Sequence, residues 1–224
     1  MDYYYLILVV PTLLLSVIAQ LMVKTTFSKY SKVQSSKNIT GVAAAALLLE
    51  SNNISDVQVE ATGGSLTDHY SPSDKKLRLS DPVYGKTSIA AIGVAAHEAG
   101  HAIQHATGWG PLALRSTLVP VANIGSRFGP IVAIAGLFLS LPFLMNIGII
   151  LFSGAVLFYL ITLPVEFNAS NRAIAILRAN NVLDEQELKG VRKVLNAAAM
   201  TYVASALTAI ASLLRLILLS RRRR

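Results

Sequence analysis

The sequence predicts an α-helical membrane protein with a small α+β domain and about four transmembrane helices. Of its 224 residues, 53% are hydrophobic and only 14% are charged, whereas soluble proteins carry about 25% charged residues. Uncharged stretches long enough to cross a bilayer occur near both ends and in the middle of the chain. A more polar region between the first two stretches is the only part large enough for a soluble fold.

The composition also excludes several kinds of chemistry. The chain has no cysteine, which excludes disulfides, thiolate metal sites and cysteine nucleophiles. Its formal net charge is +8, and aromatic residues make up 7%. In an apolar chain such basic residues report membrane topology and contact with anionic lipid. Because no basic stretch is interleaved with aromatics, nucleic acid is not an expected partner.

Four stretches are predicted to cross the membrane. Residues 3–23 carry no charge and are predicted to form a retained membrane anchor rather than a signal peptide. The uncharged run 128–165 would measure about 57 Å as a helix, roughly twice a hydrocarbon core of about 30 Å. It is therefore predicted as a helical hairpin, broken near residues 142–146, whose first arm begins around Leu118. The last candidate, residues 194–214, is rich in Ala, Ser and Thr, which let helices approach closely.

The distribution of Lys and Arg predicts the orientation of these spans. Nine basic residues lie between the first span and the hairpin, five lie between the hairpin and the last span, and none lies in the hairpin turn. Both longer loops are therefore expected in the cytoplasm. Four spans would place the tail Arg221–Arg224 outside the cell, which the same rule disfavours. Two explanations remain: the last helix lies along the interface or re-enters the membrane, or the tail is an exception to the rule. The hairpin arm also carries Arg127 into the membrane, where it would snorkel or meet a partner.

The polar region is predicted to fold in the order helix, strand, strand, helix. Lys76–Ser80 alternates apolar and polar side chains, as an edge strand does. Turn and cap residues separate the elements. The predicted elements are Gly41–Glu50 capped by Thr40, strands at residues 56–61 and 76–80, and a helix from Thr87 or Ser88 to about Thr107.

A metal site is predicted on the last of these helices, where residues 97–101 read His-Glu-Ala-Gly-His. His97 and His101 are about 40° apart around the helix and about 6 Å apart along it, so both imidazoles can reach one ion. Glu98 is offset by about 100°, which suits a general base that takes a proton from water beside the ion. Gly100 weakens a helix by about 1 kcal/mol relative to Ala, so another element is expected to approach closely there.

A catalytic zinc site needs a third protein ligand and one open position. A metzincin would have a third His ten residues after the first, but this chain has Thr there. His105 lies about 12 Å from His97 along the helix axis, so it is expected in a supporting or surface position. Glu166 is the single acidic residue in positions 99–183, and the hairpin returns it to the side of the motif. It is the predicted third ligand; alternatively, it caps a helix that starts at Pro164.

Five blocks of the sequence resemble the YugP-like neutral zinc metallopeptidases of bacterial membranes. They are residues 66–72, 76–82, 84–85, 97–105 and 164–172. The resemblance extends over essentially the whole chain. It implies a zincin-like, gluzincin-type domain with one Zn²⁺ on His97, His101 and Glu166, and with Glu98 as the catalytic base. A more distant similarity is to the HtpX-type membrane proteases, which also pair H-E-x-x-H with a Glu from a later helix.

Two positions depart from these patterns. The chain has Asn168 where the YugP-like pattern has Asp, and Ser170 where the HtpX-type proteases commonly have an acid. Acids at such positions support metal-binding histidines. The residues that hydrogen-bond to His97 and His101 in this chain therefore do not follow from the family patterns.

The predicted reaction is water attack on a peptide carbonyl held against the strand Lys76–Ser80. An additional group must stabilise the oxyanion. His69, Tyr70 and Arg172 lie in the resembling blocks and are the candidate transition-state or substrate contacts. The expected partners are the lipid bilayer and a peptide or protein substrate; a homo-oligomer and membrane quality-control partners stay open.

Three classes of function remain at this point. The first is a multi-pass zinc endopeptidase of the bacterial cell membrane with cytoplasmic catalytic loops. The second is an intramembrane protease, which would need a metal-binding Asp in a later span, although no Asp occurs between Asp81 and Asp184. The third is a non-enzymatic membrane scaffold or inactive protease homologue.

The corresponding domain division has five parts. They are an anchor at 1–24, a catalytic part at 25–117, a transmembrane hairpin at 118–164, a helical segment with the third ligand at 165–193, and a final helix with a basic tail at 194–224.

Overall fold

The computed structural model describes residues 2–221 and is mostly helical, with 73% of residues in helices. A short π-helical turn, Tyr5–Val9, leads into the first α-helix. The elements that follow are α1 Val10–Tyr30, α2 Gly41–Glu50, β1 Gln58–Thr62, β2 His69–Ser71, β3 Lys76–Ser80, α3 Ile89–Ala106, α4 Gly110–Phe138, α5 Pro142–Ala179 and α6 Glu185–Arg221.

Within residues 2–221, four helices are long and apolar enough to cross a membrane, as predicted. They are α1 with its preceding turn, α4, α5 and α6. The hairpin breaks at residues 139–141, slightly earlier than predicted, and Pro142 begins α5 because a first-turn proline lacks only an N–H that has no intrahelical partner. The alternative helix start at Pro164 is wrong, since Pro164 lies inside α5.

The chain divides into two compact units, to which α1, α5 and α6 each contribute residues. The first unit comprises the residues up to Gln20, Gly110–Pro164, and the residues from Met200 onward. Within it, small residues let the backbones of α4 and α5 touch: a Cβ on Gly136 would clash with Met145 N, and one on Gly148 would clash with Ala133 N. This close packing is typical of helices in membranes.

The second unit comprises Leu21–Trp109 and Val165–Ala199 and contains the sheet, whose strand order is β1-β3-β2. β1 is parallel to β3, and β2 is antiparallel to it. The prediction that Lys76–Ser80 is an edge strand is therefore wrong. The charges on β3 pair with neighbouring strands and turns, as in the 2.5 Å contact between Lys76 Nζ and Glu60 Oε1. The three-residue β2 was too short to predict from alternation.

The helices of this unit begin where their caps predict. Ala43 N donates to Thr40 Oγ1 at the start of α2, and Ala91 N donates to Ser88 Oγ at the start of α3. α3 ends at Ala106, close to the predicted end. The core around α3 includes the fully buried side chains Leu48, Leu77, Leu79, Ile92 and Ile103. α3 is thus held on several sides, which keeps the motif it carries in a defined position.

Candidate metal centre

The close approach expected at Gly100 is present, and it is made by α5. A Cβ at this position would lie 2.6 Å from the carbonyl oxygen of Ala169, a distance that real Cβ atoms do not reach. Glycine therefore lets the two helix backbones touch. The contact brings Glu166, three residues before Ala169 on the same helix, up to the histidine face of α3.

Three side chains converge at this helix crossing. His97 Nε2 lies 3.2 Å from Glu166 Oε2, and His101 Nε2 lies 3.6 Å from the same oxygen. The ligand atoms of the three residues all lie within 4.8 Å of one another. The side chain of Glu166 is 3% exposed and that of His97 is 15% exposed, so the cluster is nearly buried but reachable beside His97. These three residues could hold a metal ion.

The electrostatics of the cluster favour a cation. Burial alone would lower the pKa of His101, but its hydrogen bond to Glu166 and the charges of Glu98 and Glu166 outweigh burial and raise it. Two carboxylates therefore place negative potential where the imidazole nitrogens converge. A divalent metal ion would satisfy that potential in place of a proton.

The remaining ring nitrogen of each histidine also has a partner. His97 Nδ1 lies 3.0 Å from Ser170 Oγ, and His101 Nδ1 lies 3.0 Å from Gln104 Oε1. Gln104 Nε2 donates to the carbonyl oxygen of Val165 at 2.9 Å, and because a carbonyl only accepts, the amide oxygen must face His101. His101 Nδ1 therefore carries the proton and Nε2 is left to bind a metal.

Gln104 connects α3 to α5 beside His101. Its side chain is completely buried, and its Nε2 also donates to Asn168 Oδ1 at 3.0 Å. Arg172 Nε donates to the same oxygen at 2.8 Å. Sequence reasoning missed Gln104, although its position three residues after His101 places it on the same helix face.

At the two positions that depart from the family patterns, the side chains support the histidines directly or through Gln104. Ser170 contacts His97, and Asn168 orients Gln104, which contacts His101. Neutral hydroxyl and amide groups thus take the supporting positions where an acid was expected.

Glu98 lies between the cluster and the sheet. It is buried, and its Oε2 accepts a 3.0 Å hydrogen bond from the backbone N–H of Tyr70 in β2. The Tyr70 hydroxyl lies 2.8 Å from Nδ1 of His105, which is exposed. Burial, assisted by the charges of Asp56 and Asp74, raises the pKa of Tyr70.

The candidate contact residues occupy different places. Tyr70 touches Glu98, whereas Arg172 reaches the cluster through Asn168 and Gln104. His69 is exposed, with its Nδ1 2.8 Å from the carbonyl oxygen of Thr67. The structure therefore brings the backbone of Tyr70 to Glu98, directs the Tyr70 hydroxyl towards the exposed His105 and leaves His69 on the outside.

The chain is similar to known proteins over nearly its whole length. Residues 5–221 match the model of the family described as "Putative neutral zinc metallopeptidase". The "Putative membrane protease YugP" of Bacillus subtilis (strain 168) is 48% identical over 215 residues, covering 96% of each chain. No solved structure matches the chain significantly. The match over nearly the whole chain shows that this protein belongs to the neutral zinc metallopeptidase family.

Proposed function

We propose that this protein is a zinc-dependent endopeptidase that hydrolyses membrane or misfolded proteins near the membrane surface. The convergence of His97, His101 and Glu166 beside the buried Glu98 carries the proposal. The family description and the name of the Bacillus relative support the coarser statement of a zinc peptidase and a membrane protease.

The donor set fits Zn²⁺. Two imidazole nitrogens and one carboxylate are the ligands of a known class of catalytic zinc site, which keeps one further position open. Both histidines have a hydrogen-bonding partner at Nδ1, as zinc ligands usually do. We therefore assign the ligands to His97, His101 and Glu166, in a gluzincin-type site on a zincin-like arrangement of α3 and the small sheet.

Each group then has a part in hydrolysis. Bound Zn²⁺ would supply a Lewis acid that polarises the peptide carbonyl and lowers the pKa of a water molecule to about 7. Glu98 accepts the proton of that water as its oxygen forms a bond to the carbonyl carbon. Glu98 then delivers the proton to the leaving amine nitrogen as the C–N bond breaks. The Tyr70 backbone N–H holds the Glu98 carboxylate in place for both transfers.

The outer edge of β2 is the proposed site for the substrate backbone. Because β3 is the central strand, it has no unpaired edge for strand addition. The Tyr70 N–H points away from β3 towards Glu98, so an extended peptide lying along β2 would pass the catalytic carboxylate. We assign oxyanion stabilisation to the Tyr70 hydroxyl and substrate contact to His69. Arg172 is assigned a positioning role, because it holds Asn168, which in turn orients Gln104.

We place the protein in the bacterial cell membrane as a multi-pass protein with its catalytic part in the cytoplasm. The four apolar helices and the basic loops support this placement. The five-part domain division is retained within this proposal. α6 continues to Arg221, and the rest of the basic tail lies outside the described residues.

Removing the metal is expected to abolish hydrolysis reversibly. Protein purified in detergent without chelator should contain one zinc per chain by elemental analysis and should cleave a labelled unfolded protein. A chelator should stop cleavage, and added Zn²⁺ should restore it. Protein that contains no zinc and cleaves nothing would instead favour the non-enzymatic scaffold.

The substitution Gln104→Met is expected to weaken zinc binding about 10- to 100-fold, the usual cost of losing a group that orients a metal ligand. Met keeps much of the buried volume but provides no acceptor for His101 Nδ1. Zinc affinity is measured by competition with a chromophoric chelator. Thr107→Val is the matched control, because the Thr107 hydroxyl bonds only carbonyl groups of α3 in the described residues. Equal zinc affinities in the two variants would contradict the role of Gln104.

A further inference from the structure

Two polar side chains lie together on the side of α4 opposite the side that packs against α5. Asn123 and Arg127 are four residues apart, so they share one side of the helix, and both are exposed. Gly125 and Gly129 lie roughly on the opposite side and are buried. The guanidinium of Arg127 therefore points away from the hairpin.

Arg127 lies near the middle of the apolar hairpin. A Cβ on Gly125 would touch the carbonyl oxygen of Leu151, and one on Gly129 would touch Phe152. Arg127, between these glycines, is therefore level with residues 151–152 of α5. The uncharged part of α5 runs from residue 142 to residue 165, so Arg127 is about 14 Å from one end of it and about 20 Å from the other.

Little within the chain compensates this charge. Among the described residues, the guanidinium of Arg127 lies over the ring of Phe128, with 5.8 Å between Arg127 Cζ and the ring centroid. An exposed arginine at the middle of a bilayer is costly, and such residues usually face a partner or a water-filled cavity. Lipid phosphates lie at least as far away as the ends of the apolar stretch.

We propose that the α4 face formed by Asn123 and Arg127 binds a transmembrane helix of another protein that carries an Asp or Glu at mid-membrane depth. This inference rests on the membrane placement of the proposed function but not on peptidase activity. A carboxylate complements the guanidinium in charge and geometry, and the Asn123 amide, one turn away on the same face, offers a further hydrogen bond.

The sequence argues against a second copy of this chain as the occupant. Residues 3–49, 99–165 and 188–221, which include the apolar parts of the four candidate membrane spans, contain no Asp or Glu. Two copies joined through this face would bring two arginines together in a medium of low dielectric constant. The required carboxylate must therefore come from a different chain.

Peptide binding in vesicles tests this proposal. The full chain has no cysteine, so Leu139→Cys, at an exposed residue between α4 and α5, allows one donor fluorophore to be attached. Glu98→Gln is included to prevent cleavage. The probes are leucine-rich transmembrane peptides with a central Glu, Gln or Leu and an acceptor fluorophore, reconstituted with the protein in phosphatidylcholine vesicles. Energy transfer reports binding.

The Glu peptide is expected to bind at least tenfold more tightly than the Leu peptide. Arg127→Leu should remove this difference, and Arg127→Glu should transfer the preference to a peptide with a central Lys. Arg115→Leu, nearer the start of the same helix, should leave the preference intact.

Three results would overturn the proposal. The first is equal binding of the Glu and Leu peptides. The second is an effect of Arg127→Leu on binding that appears only when the vesicles contain phosphatidylglycerol, which would mean that Arg127 contacts lipid phosphate. The third is self-association of the protein that depends on Arg127. In a separate assay with Glu98 intact, Arg127→Leu should leave cleavage of a soluble unfolded substrate unchanged. Failure of peptide binding is thereby distinguished from failure of the proposed peptidase function.

Discussion

Replacing Glu98 with Gln is expected to reduce peptide hydrolysis by at least about 10²- to 10⁴-fold, the usual contribution of a general base, while zinc stays bound. Gln has nearly the same shape and can still contact the Tyr70 N–H through its amide oxygen, but it cannot accept the proton of the attacking water. The three proposed ligands are unchanged, so the metal content should be unchanged too. Hydrolysis is followed with a labelled unfolded protein, and zinc by elemental analysis.

Glu50→Gln is a suitable control for this substitution. Glu50 is an exposed carboxylate at the end of α2, so its loss should affect neither zinc content nor rate. An unchanged rate in Glu98→Gln would refute the assignment of the base. Loss of zinc in the same variant would show instead that Glu98 binds or positions the metal.

The second large effect is expected for Glu166→Ala, which should lose both zinc and hydrolysis. The carboxylate is the one acidic member of the three-residue cluster, and its side chain is almost completely buried between the two histidines. Without it, two neutral imidazoles remain, too few ligands to retain the ion through purification. Zinc content, zinc affinity and peptidase rate are measured on the same preparations.

Two further variants make this result interpretable. Glu185→Ala removes a carboxylate that pairs with Arg178 at an exposed position, so it should keep its zinc and its activity. Glu166→Asp keeps the charge but shortens the side chain, and should bind zinc more weakly than the wild type without losing it entirely. Stoichiometric zinc in Glu166→Ala would mean that the third ligand is a different residue.

Much of the local structure could be predicted because it depends on residues close together in sequence. Thr40 and Ser88 cap helices by accepting hydrogen bonds from amides three residues later. The spacing of His97 and His101 places both on one helix face for the same reason. The span count followed from the length of the uncharged runs, since a bilayer imposes a minimum helix length.

The predictions that failed concern partners distant in sequence. Alternation in Lys76–Ser80 indicates a strand, but it does not reveal that β2 covers one side and β1 the other. Pro164 is a common helix-start signal, yet α5 continues through it. Whether a proline is tolerated inside a helix depends on the packing around it, which the local sequence does not contain.

The sequence by itself determined the donor types of the candidate site, because H-E-x-x-H is a local pattern and Glu166 is the only acid available in the following stretch of chain. Only the tertiary structure decided that Glu166 meets the histidines, that Gln104 and Ser170 orient the two rings, and that Arg127 faces away from the hairpin. These relations arise where α5 crosses α3 and where α4 packs on α5. Helix crossings are set by the fit of whole surfaces, as at Gly100 and Gly129, and not by the order of neighbouring residues.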